Sequence, residues 1–583
     1  TAHFLVVTHE KLLGAARAYA AYRASAAGGS HDTLVVTMTE LVDRFNHGEW
    51  SPLAIRNFAD TMRRRAGARF LLLIGQGRWP QTVRRAPDRT ALDPVPPAGW
   101  PAADLPHAMG LGNDSAFAPG LAVGRLNAAT PEQVRAYLDK VREHEAAPAA
   151  DLWRKRVLHL SGGRSAHDLR LFRSFVGDFA KTAQTGGVGA RVQTLGKQTD
   201  APVEVFNVSR PLNEGVGMVT FFGHSGGGGA DVDIGRASDE AAGYRNQGRY
   251  PLLLVNGCDA GDIFLDGGQT TFGTDWVNTP GRGAIAVLAH AAAGYPEPLR
   301  DFSRHLYDVL FVDPAFVGTS IGLAHAEAAR RLAAQPGAGV FEQAHAQQFV
   351  LQGDPAVVIF PAKKPDYAAE GVFFTEKPTA FADSLRLAVG VANGGRVPTQ
   401  AVSVSVLRKF SDGTTAEFGP FVLPPVAFRD TVFFSVKNDR ARAAGPNRFE
   451  VLLDPDRRLD ETTRDNNATA LDVLLPGFAA LPLLPPDGGT VSEPTVRLTA
   501  QATRVFSDKI QRFLVEIDTS AAFATPFRRS QVVTHAWLPV WETALLTTDG
   551  QRYFWRIRAA DSPEGPENAW AGSSFVFSKN GPA

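Results

Sequence analysis

Short apolar runs alternate with helical segments over the first 360 residues. Several runs of four to six apolar residues stop at a glycine or a polar residue, which is typical of buried parallel strands. The predicted strands are Phe4 to Val7, Thr33 to Val36, Phe70 to Ile74, Arg156 to Leu160, Ala190 to Leu195, Met218 to Phe222, Leu252 to Val255, Ala284 to Ala289 and Ala356 to Ile359. Because helical patterns separate most of them, right-handed crossovers and an α/β fold with parallel sheets are expected. Two α/β units are predicted, residues 1–150 and residues 151–362.

The pattern changes after Pro361. Alternating apolar and polar positions, frequent turns and no long helical pattern predict two β-sandwiches, residues 366–475 and residues 480–583. The segment Pro482 to Gly489 is predicted to be a semi-rigid linker within this part of the chain. In the first unit, Trp79 to Pro119 is rich in Pro, Ala and Gly and is predicted to form a long surface loop.

Composition narrows the possible functions. The chain has 583 residues, with 60 Lys plus Arg against 60 Asp plus Glu, so its formal net charge is zero. No basic surface for nucleic acid is implied, and no apolar run approaches the length of a membrane span. Cys258 is the single cysteine, so an intrachain disulfide is excluded.

Two reactive side chains follow two of the predicted strands. His224 comes after Met218 to Phe222, and Cys258 comes after Leu252 to Val255. Ligands collect at the carboxyl ends of parallel strands. Neighbouring strands would therefore bring an imidazole and a thiol together, as a cysteine nucleophile and its base require.

A serine nucleophile is the competing hypothesis at the same position. The residues from Gly223 to Gly227 fit the G-x-S-x-G pattern, with Ser225 as the nucleophile. That pattern needs a helix directly after the serine. Four consecutive glycines, Gly226 to Gly229, follow instead and disfavour a helix. They are better suited to form a flexible wall of the site.

The first 362 residues resemble the gingipain-type cysteine peptidases of bacteria, which have a caspase-like fold. The resemblance rests on the order and spacing of several segments. These are Phe45 to Gly48, Ala54 to Arg56, Leu73 to Gly75, Val123 to Leu126, Gly223-His224, Asn256 to Asp262, Gly283 to Ala286 and Gly353 to Pro355.

This resemblance implies an extracellular or surface endopeptidase that hydrolyses peptide bonds through a Cys258–His224 dyad and an acyl-enzyme. Asp168 corresponds to the group that orients the histidine. The oxyanion and substrate wall is expected at Gly223, Ser225, Gly257 and Asp259, with backbone N–H groups near Gly223 and Cys258 as oxyanion donors. Two alternatives stay open: a sortase-like transpeptidase of the type IX secretion system, and a surface adhesin that keeps the peptidase fold as scaffold.

The β-modules carry their own resemblances. Residues 366–475 resemble a bacterial cell-adhesion-related sandwich, and residues 480–583 resemble a fibronectin type III module. Such modules accompany type IX secretion cargo, which implies cell-surface or secretion components as partners and a protein or peptide as substrate. No cofactor is required, and a structural calcium ion is compatible with the resemblance. Acidic candidates for a specificity pocket or a metal site are Asp231, Asp233, Asp259 and Asp262.

Overall fold

A computed structural model gives the architecture. It describes residues 2–85, 93–226, 229–265, 270–376, 378–380, 382–475, 477–503, 511–561, 563–564 and 568–581. An α/β region occupies residues 2–362, and two all-β modules follow it. The predicted fold class is confirmed.

The strands of the α/β region are mostly short and fully buried. They are β1 (Phe4–Thr8), β2 (Thr33–Thr37), β3 (Phe70–Ile74), β4 (Ala122–Leu126), β5 (Arg156–Ser161), β6 (Arg191–Gly196), β7 (Glu204–Val205), β8 (Met218–Phe222), β9 (Ser225–Gly226), β10 (Gly229–Ala230), β11 (Val232–Asp233), β12 (Leu252–Asn256), β13 (Ala286–His290) and β14 (Phe349–Gln352).

Helices cover this sheet. They are α1 (Leu13–Ala24), α2 (Met38–Phe45), α3 (Pro52–Ala66), α4 (Pro80–Arg85), α5 (Pro131–Ala146), α6 (Ala166–Thr185), α7 (Ser209–Glu214), α8 (Phe272–Asn278), α9 (Pro296–Tyr307), α10 (Ile321–Ala334) and α11 (Val340–Gln348). Many start with a capping side chain, such as Ser51 before Pro52 in α3 and Thr130 before Pro131 in α5. Within the described residues, no helix has both the length and the apolar character needed to cross a bilayer.

Ten of the strands form one continuous sheet, in the order β2-β1-β3-β4-β14-β13-β12-β8-β5-β6. The two predicted units therefore share a single sheet. Strand β14 pairs in parallel with β4 and antiparallel with β13, so the strands of residues 1–150 run opposite to those of the second unit. The last strand of the α/β region is thus the one that joins its two halves.

The closing strand lies at a different place from the one predicted. Ala356 to Ile359 is buried but forms no strand, and Phe349–Gln352 is the strand that enters the sheet. Both stretches are apolar, so hydrophobicity alone does not distinguish them. The turn at Gly353, with φ +129°, directs the chain out of the sheet before Ala356 is reached.

In its described residues, 79–85 and 93–119, the segment Trp79 to Pro119 is not a surface loop, and residues 86–92 lie outside the described part. Its Asp104 accepts two hydrogen bonds from the guanidinium of Arg125, at 2.7 and 2.8 Å, and both side chains are buried. Arg125 also donates to the carbonyls of Gly75 and Val95. This ion pair binds the segment to the end of β4, although its composition alone suggests an exposed loop.

A second buried network joins the two halves of the sheet beside β14. Asp354 accepts hydrogen bonds from Arg23 and from the hydroxyl of Tyr19, both at 2.6 Å. Arg23 also pairs with Glu145 at 2.8 Å. Because an unpaired buried charge is costly, each of these groups depends on the others.

Each β-module contains two sheets. The first module has β15 (Tyr367–Phe374), β16 (Ser384–Asn393), β17 (Val402–Lys409), β18 (Thr415–Leu423), β19 (Arg429–Lys437), β20 (Gly445–Leu453) and β21 (Ala468–Leu475), in the orders β15-β16-β19 and β18-β17-β20-β21. The second has β22 (Ala480–Leu484), β23 (Gly489–Val491), β24 (Thr495–Ala502), β25 (Gln511–Asp518), β26 (Arg529–His535), β27 (Val540–Ala544), β28 (Arg552–Ala559) and β29 (Ala571–Phe577), in the orders β22-β24-β27 and β23-β29-β28-β25-β26.

The predicted linker Pro482 to Gly489 is wrong. Pro482 lies inside β22, opposite Ala500 of β24. Strand β22 is at the edge of its sheet, where a residue without an N–H is tolerated. The segment therefore consists of the end of an edge strand, which holds Pro482, and the short connection with Pro485 and Pro486 that leads to β23, all within the second module.

The first β-module packs closely on the α/β region. The ammonium of Lys155 is buried and donates to the carbonyls of Asn393, Gly395 and Ala427, at 2.9, 2.7 and 2.6 Å. Nearby, a Cβ on Gly394 would lie 1.9 Å from the carbonyl oxygen of Ala150, so only glycine fits there. The module is consequently a part of the packed structure, and its removal after Ala362 would leave Lys155 without these partners.

We expect Lys155→Met to lower the free energy of unfolding by about 2–4 kcal/mol, because three buried carbonyls lose their donor while the aliphatic stem keeps its packing. Denaturant unfolding curves measure this change. Lys181→Met, at an exposed position of α6, is the matched control and should change stability by less than about 0.5 kcal/mol. Equal stability of the two variants would contradict this role of Lys155.

Candidate active site

His224 and Cys258 lie at the ends of two neighbouring strands. Strands β8 and β12 pair in parallel, with Phe222 opposite Asn256, so each reactive residue comes two positions after its strand at the same level of the sheet. The N–H of Gly223 donates to the carbonyl of Asn256 at 3.1 Å and continues the pairing into the loops. The predicted arrangement of the two strand ends is therefore present.

Asp168 reaches this edge from the other side of β8. Strand β5 lies between β6 and β8, so the chain leaves β5 outward toward β6 and later returns to β8 on its inner side. Such a reversal of strand order opens a crevice at the carboxyl ends of the strands. Helix α6 begins directly after β5 and carries Asp168 in its first turn, next to the loop of His224.

The carboxylate of Asp168 contacts the imidazole of His224. Its Oδ2 lies 3.2 Å from Nε2 of the ring. Burial acts to raise the pKa of Asp168, but hydrogen bonds from Ser165, from His224 and from the N–H of Arg164 outweigh it and lower the pKa. Asp168 is therefore an anion at neutral pH, and Nδ1 of His224 remains as the second functional nitrogen of the ring.

An aromatic contact also positions His224. The ring of Phe172, one turn further along α6, packs edge-on against the imidazole with 5.4 Å between the ring centroids. Phe172 in turn packs on Phe222 of β8, at 5.2 Å. One helix thus supplies both the charged and the apolar contact of the histidine, which restricts its rotation about χ2.

The thiol of Cys258 contacts the loop that follows β13. The N–H of Gly294 lies 3.3 Å from Sγ, and the thiol in turn lies 3.6 Å from the Gly294 carbonyl. Cys258 is half-buried, and the next residue, Asp259, has φ +55° and donates its N–H to Ala292. A backbone N–H directed at sulfur stabilises a thiolate by hydrogen bonding. Between His224 and Cys258 themselves, both within the described residues, there is no hydrogen bond.

Ser225 stabilises the cysteine turn. Its hydroxyl donates to the carbonyl of Cys258 at 2.7 Å. Ser225 and Gly226 form the short strand β9, which pairs with β10, and among the described residues no helix follows. The context of a serine nucleophile is therefore absent. Of the four glycines expected to form a wall, Gly227 and Gly228 lie outside the described residues.

The expected wall of the site needs one correction. Gly223 is not available as an oxyanion donor, because its N–H is already bonded to Asn256 in the sheet. Gly257 is a close-packing position, since a Cβ there would lie 2.2 Å from the hydroxyl oxygen of Ser225. In the described part of the chain, the N–H of Cys258 has no hydrogen-bond acceptor and is the better donor.

Asp231 is a site residue whose role the sequence does not reveal. It is fully buried, accepts the N–H of Gly163 at 2.7 Å and donates its own N–H to the carbonyl of His224 at 2.8 Å. Its Oδ1 would lie 2.2 Å from a Cβ on Gly162 and 2.5 Å from one on Gly223. Asp231 thus holds the loop of Asp168 against the loop of His224. The only sequence signal for it is a carboxylate that follows shortly after the glycines next to His224.

The other acidic candidates have separate environments. Asp262 is buried and accepts hydrogen bonds from the indole of Trp79, at 2.9 Å, and from the N–H of Phe264, at 3.1 Å. Asp233, the last residue of β11, and Asp259, in the bend after β12, are both exposed. Among the described residues, no three His, Cys, Asp or Glu side chains are grouped closely enough to hold a metal ion. The expectation of a structural calcium ion stays untested.

Comparison with known proteins gives one family match. The model of peptidase family C25 matches residues 1–360. No curated protein matches the chain. Among solved structures, the chain is similar to the Arg-specific cysteine proteinase gingipain R, with 13% identity and a TM-score of 0.48, over 81% of this chain and 98% of that chain.

Two further structures are similar to this chain. A complex of RgpB pro- and mature domains of Porphyromonas gingivalis matches with 12% identity and a TM-score of 0.48, over 81% of this chain and 100% of that chain. The latent PorU dimer of the same organism matches with 13% identity and a TM-score of 0.32, over 99% of this chain and 54% of that chain.

We expect His224→Ala to slow alkylation of Cys258 by iodoacetamide about tenfold, because the thiolate loses its proton acceptor. Mass spectrometry measures the rate without ambiguity, since Cys258 is the single cysteine. His167→Ala, an exposed histidine beside Asp168 on the same helix turn, is the matched control and should react like the unmodified protein. Equal rates in all three proteins would favour the hypothesis of a fold retained only as scaffold.

Proposed function

The chain belongs to peptidase family C25 and is by family a cysteine peptidase, and we propose that it hydrolyses internal peptide bonds with Cys258 as nucleophile and His224 as its base. The observation that carries the proposal is the hydrogen bond between the imidazole of His224 and the carboxylate of Asp168, next to the strand end that bears Cys258. A base held by a carboxylate and placed beside a thiol is the arrangement of nucleophilic catalysis.

The proposed first step forms the acyl-enzyme. His224 accepts the thiol proton, and the sulfur of Cys258 attacks the carbonyl carbon of the peptide bond. The C–S bond forms, negative charge develops on the carbonyl oxygen, and the C–N bond then breaks. His224 returns its proton to the leaving amine, so that the first product departs neutral.

Water releases the second product. His224 takes a proton from a water molecule, whose oxygen attacks the thioester carbon. The C–S bond breaks, the carboxylic acid departs, and the sulfur of Cys258 recovers a proton. The N–H of Cys258 is our proposed donor to the oxyanion in both steps, and one such donor contributes roughly 3 kcal/mol in other proteases.

Asp168 has a positioning role in this proposal. Its carboxylate fixes Nε2 of His224 as the protonated nitrogen, which leaves Nδ1 to exchange protons with sulfur and water. It also stabilises the imidazolium that exists between the two proton transfers. Asp231 supports the contact between Asp168 and His224, because it joins the two loops that carry these side chains.

We expect Cys258→Ala to abolish turnover of peptide substrates, whereas Ser225→Ala should keep at least about a tenth of the activity. The hydroxyl of Ser225 contributes one hydrogen bond to the cysteine turn, worth about 1 kcal/mol. Initial rates with a casein substrate and with fluorogenic peptides measure both variants. Residual turnover in purified Cys258→Ala together with complete loss in Ser225→Ala would overturn the thiolate mechanism.

We expect Asp168→Asn to lower kcat by about 10- to 1,000-fold with little change in KM. Because the pKa of Asp168 lies below its ordinary value of about 4, its charge is lost only at pH values below that range. The loss of kcat in the variant should therefore be nearly constant from pH 5 to pH 8, as measured in a pH–rate profile. Wild-type kcat in Asp168→Asn would contradict the positioning role.

Hydrolysis, location and partners are parts of the same proposal. Product analysis with an added amine distinguishes a peptidase, which releases acid, from a transpeptidase, which releases an amide conjugate. We propose an extracellular or surface location, with protein or peptide substrates and with type IX secretion components as partners. Fractionation of the native host followed by immunoblotting tests the location, and activity after EDTA treatment tests the need for calcium.

A further inference from the structure

A cavity of about 520 Å³ opens beside the two proposed catalytic residues. Its wall includes Ser225, next to His224, and Ala260, two residues after Cys258. It lies on the face of the sheet opposite helix α6, because its floor is built by the strand residues that alternate with those packed on that helix. Its volume is typical of a site for a ligand or a substrate side chain.

The floor of this cavity is apolar. It is formed by Leu160 of β5, Val219 and Phe221 of β8, and Leu253 and Val255 of β12. All five are buried. Ile234 and Phe272 add apolar surface on the facing wall. A hydrocarbon side chain that enters would exchange water for hydrocarbon on the floor and on the wall formed by these two residues.

Charge is confined to the rim. Of the described residues that line the cavity, the charged ones are Asp233, Arg236 and Asp239, and all three are exposed. Asp233 accepts the N–H of Gly235 and Asp239 accepts the N–H of Ala241, so both carboxylates belong to local turns. Arg236 donates to the carbonyl of Thr270 at 2.7 Å. None of the described residues that form the floor carries a carboxylate, which a buried guanidinium or ammonium would need there.

We propose that this cavity receives the side chain of the substrate residue whose carbonyl is attacked, and that it selects large apolar residues such as Leu and Phe. This residue is the substrate position nearest the sulfur, and the cavity begins within two residues of both His224 and Cys258. The inference rests on the proposed function and adds the substrate class to it.

The test uses fluorogenic peptides that are identical except at the residue before the cleaved bond, which is Leu, Phe, Ala, Arg, Lys or Asp. We expect kcat/KM for Leu and Phe to exceed the values for Arg, Lys and Asp by about 10- to 100-fold. A preference for Arg, Lys or Asp, or values within about threefold of one another, would overturn the inference.

Gly226→Leu fills the cavity in a second measurement. An added Cβ at Gly226 meets no atom within 4 Å, so the larger side chain can be accommodated in the cavity. We expect kcat/KM for Leu and Phe to fall about tenfold or more, while the value for Ala changes less. Gly14→Leu, an exposed position of α1 with equal space, is the matched control and should retain wild-type selectivity. Unchanged Leu and Phe values in a folded Gly226→Leu variant would contradict the assignment of this cavity.

Failure of the inference and failure of the proposed function give different results. If basic peptides are cut best and Cys258→Ala removes that activity, the cysteine peptidase stands and the apolar pocket is wrong. If no peptide is cut and iodoacetamide modifies Cys258 at the rate of an ordinary thiol, the proposed function fails and the pocket assignment fails with it. The wild-type peptide series decides the inference even if Gly226→Leu does not fold.

Discussion

The insertion of β14 between β4 and β13 is the constraint on which the α/β region depends. Strands β1 to β4 and the strands of residues 151–290 form two blocks that run in opposite directions, and only β14 pairs with both. Asp354 follows directly and binds Arg23 and Tyr19 from the first block. Because the pairing and the ion network occur within six residues, one short segment fixes both the register and the relative position of the two halves.

The crevice that holds the proposed catalytic residues is a consequence of strand order within the second block. The chain leaves β5 toward the sheet edge and returns on the inner side, so the loops after β5 and β8 separate. Without a further contact they would be free to move apart. Asp231 prevents this, since it binds the backbone of both loops and is enclosed by two glycines. The contact of Asp168 with His224 therefore depends on how the two loops are packed together, in addition to the attraction between the two side chains.

Much of this arrangement could be predicted from the sequence, because it depends on local patterns. The strand Phe70–Ile74 and the placement of His224 and Cys258 just beyond β8 and β12 follow from apolar runs that end at glycine. Asp168 is proposed from the resemblance alone, as the nearest carboxylate in the corresponding loop, and no local pattern of the sequence indicates it. The sequence could not show that β14, and not Ala356 to Ile359, is the closing strand. Both stretches are apolar, and only pairing across the sheet decides between them. The burial of Asp104 depends on Arg125, 21 residues away, and has no local signature.

The contact of Lys155 with the first β-module shows that the end of the family match and the end of the packed structure are different positions in this chain. The match to the model of peptidase family C25 ends at residue 360. The packed structure continues past that point, because the buried Nζ of Lys155 in the α/β region takes its three acceptors from residues 393–427. A version of this protein shortened at residue 360 would leave the buried Nζ of Lys155 without its three acceptors. The interchangeable unit is therefore the α/β region together with the first sandwich, and a hybrid protein is best joined beyond β21.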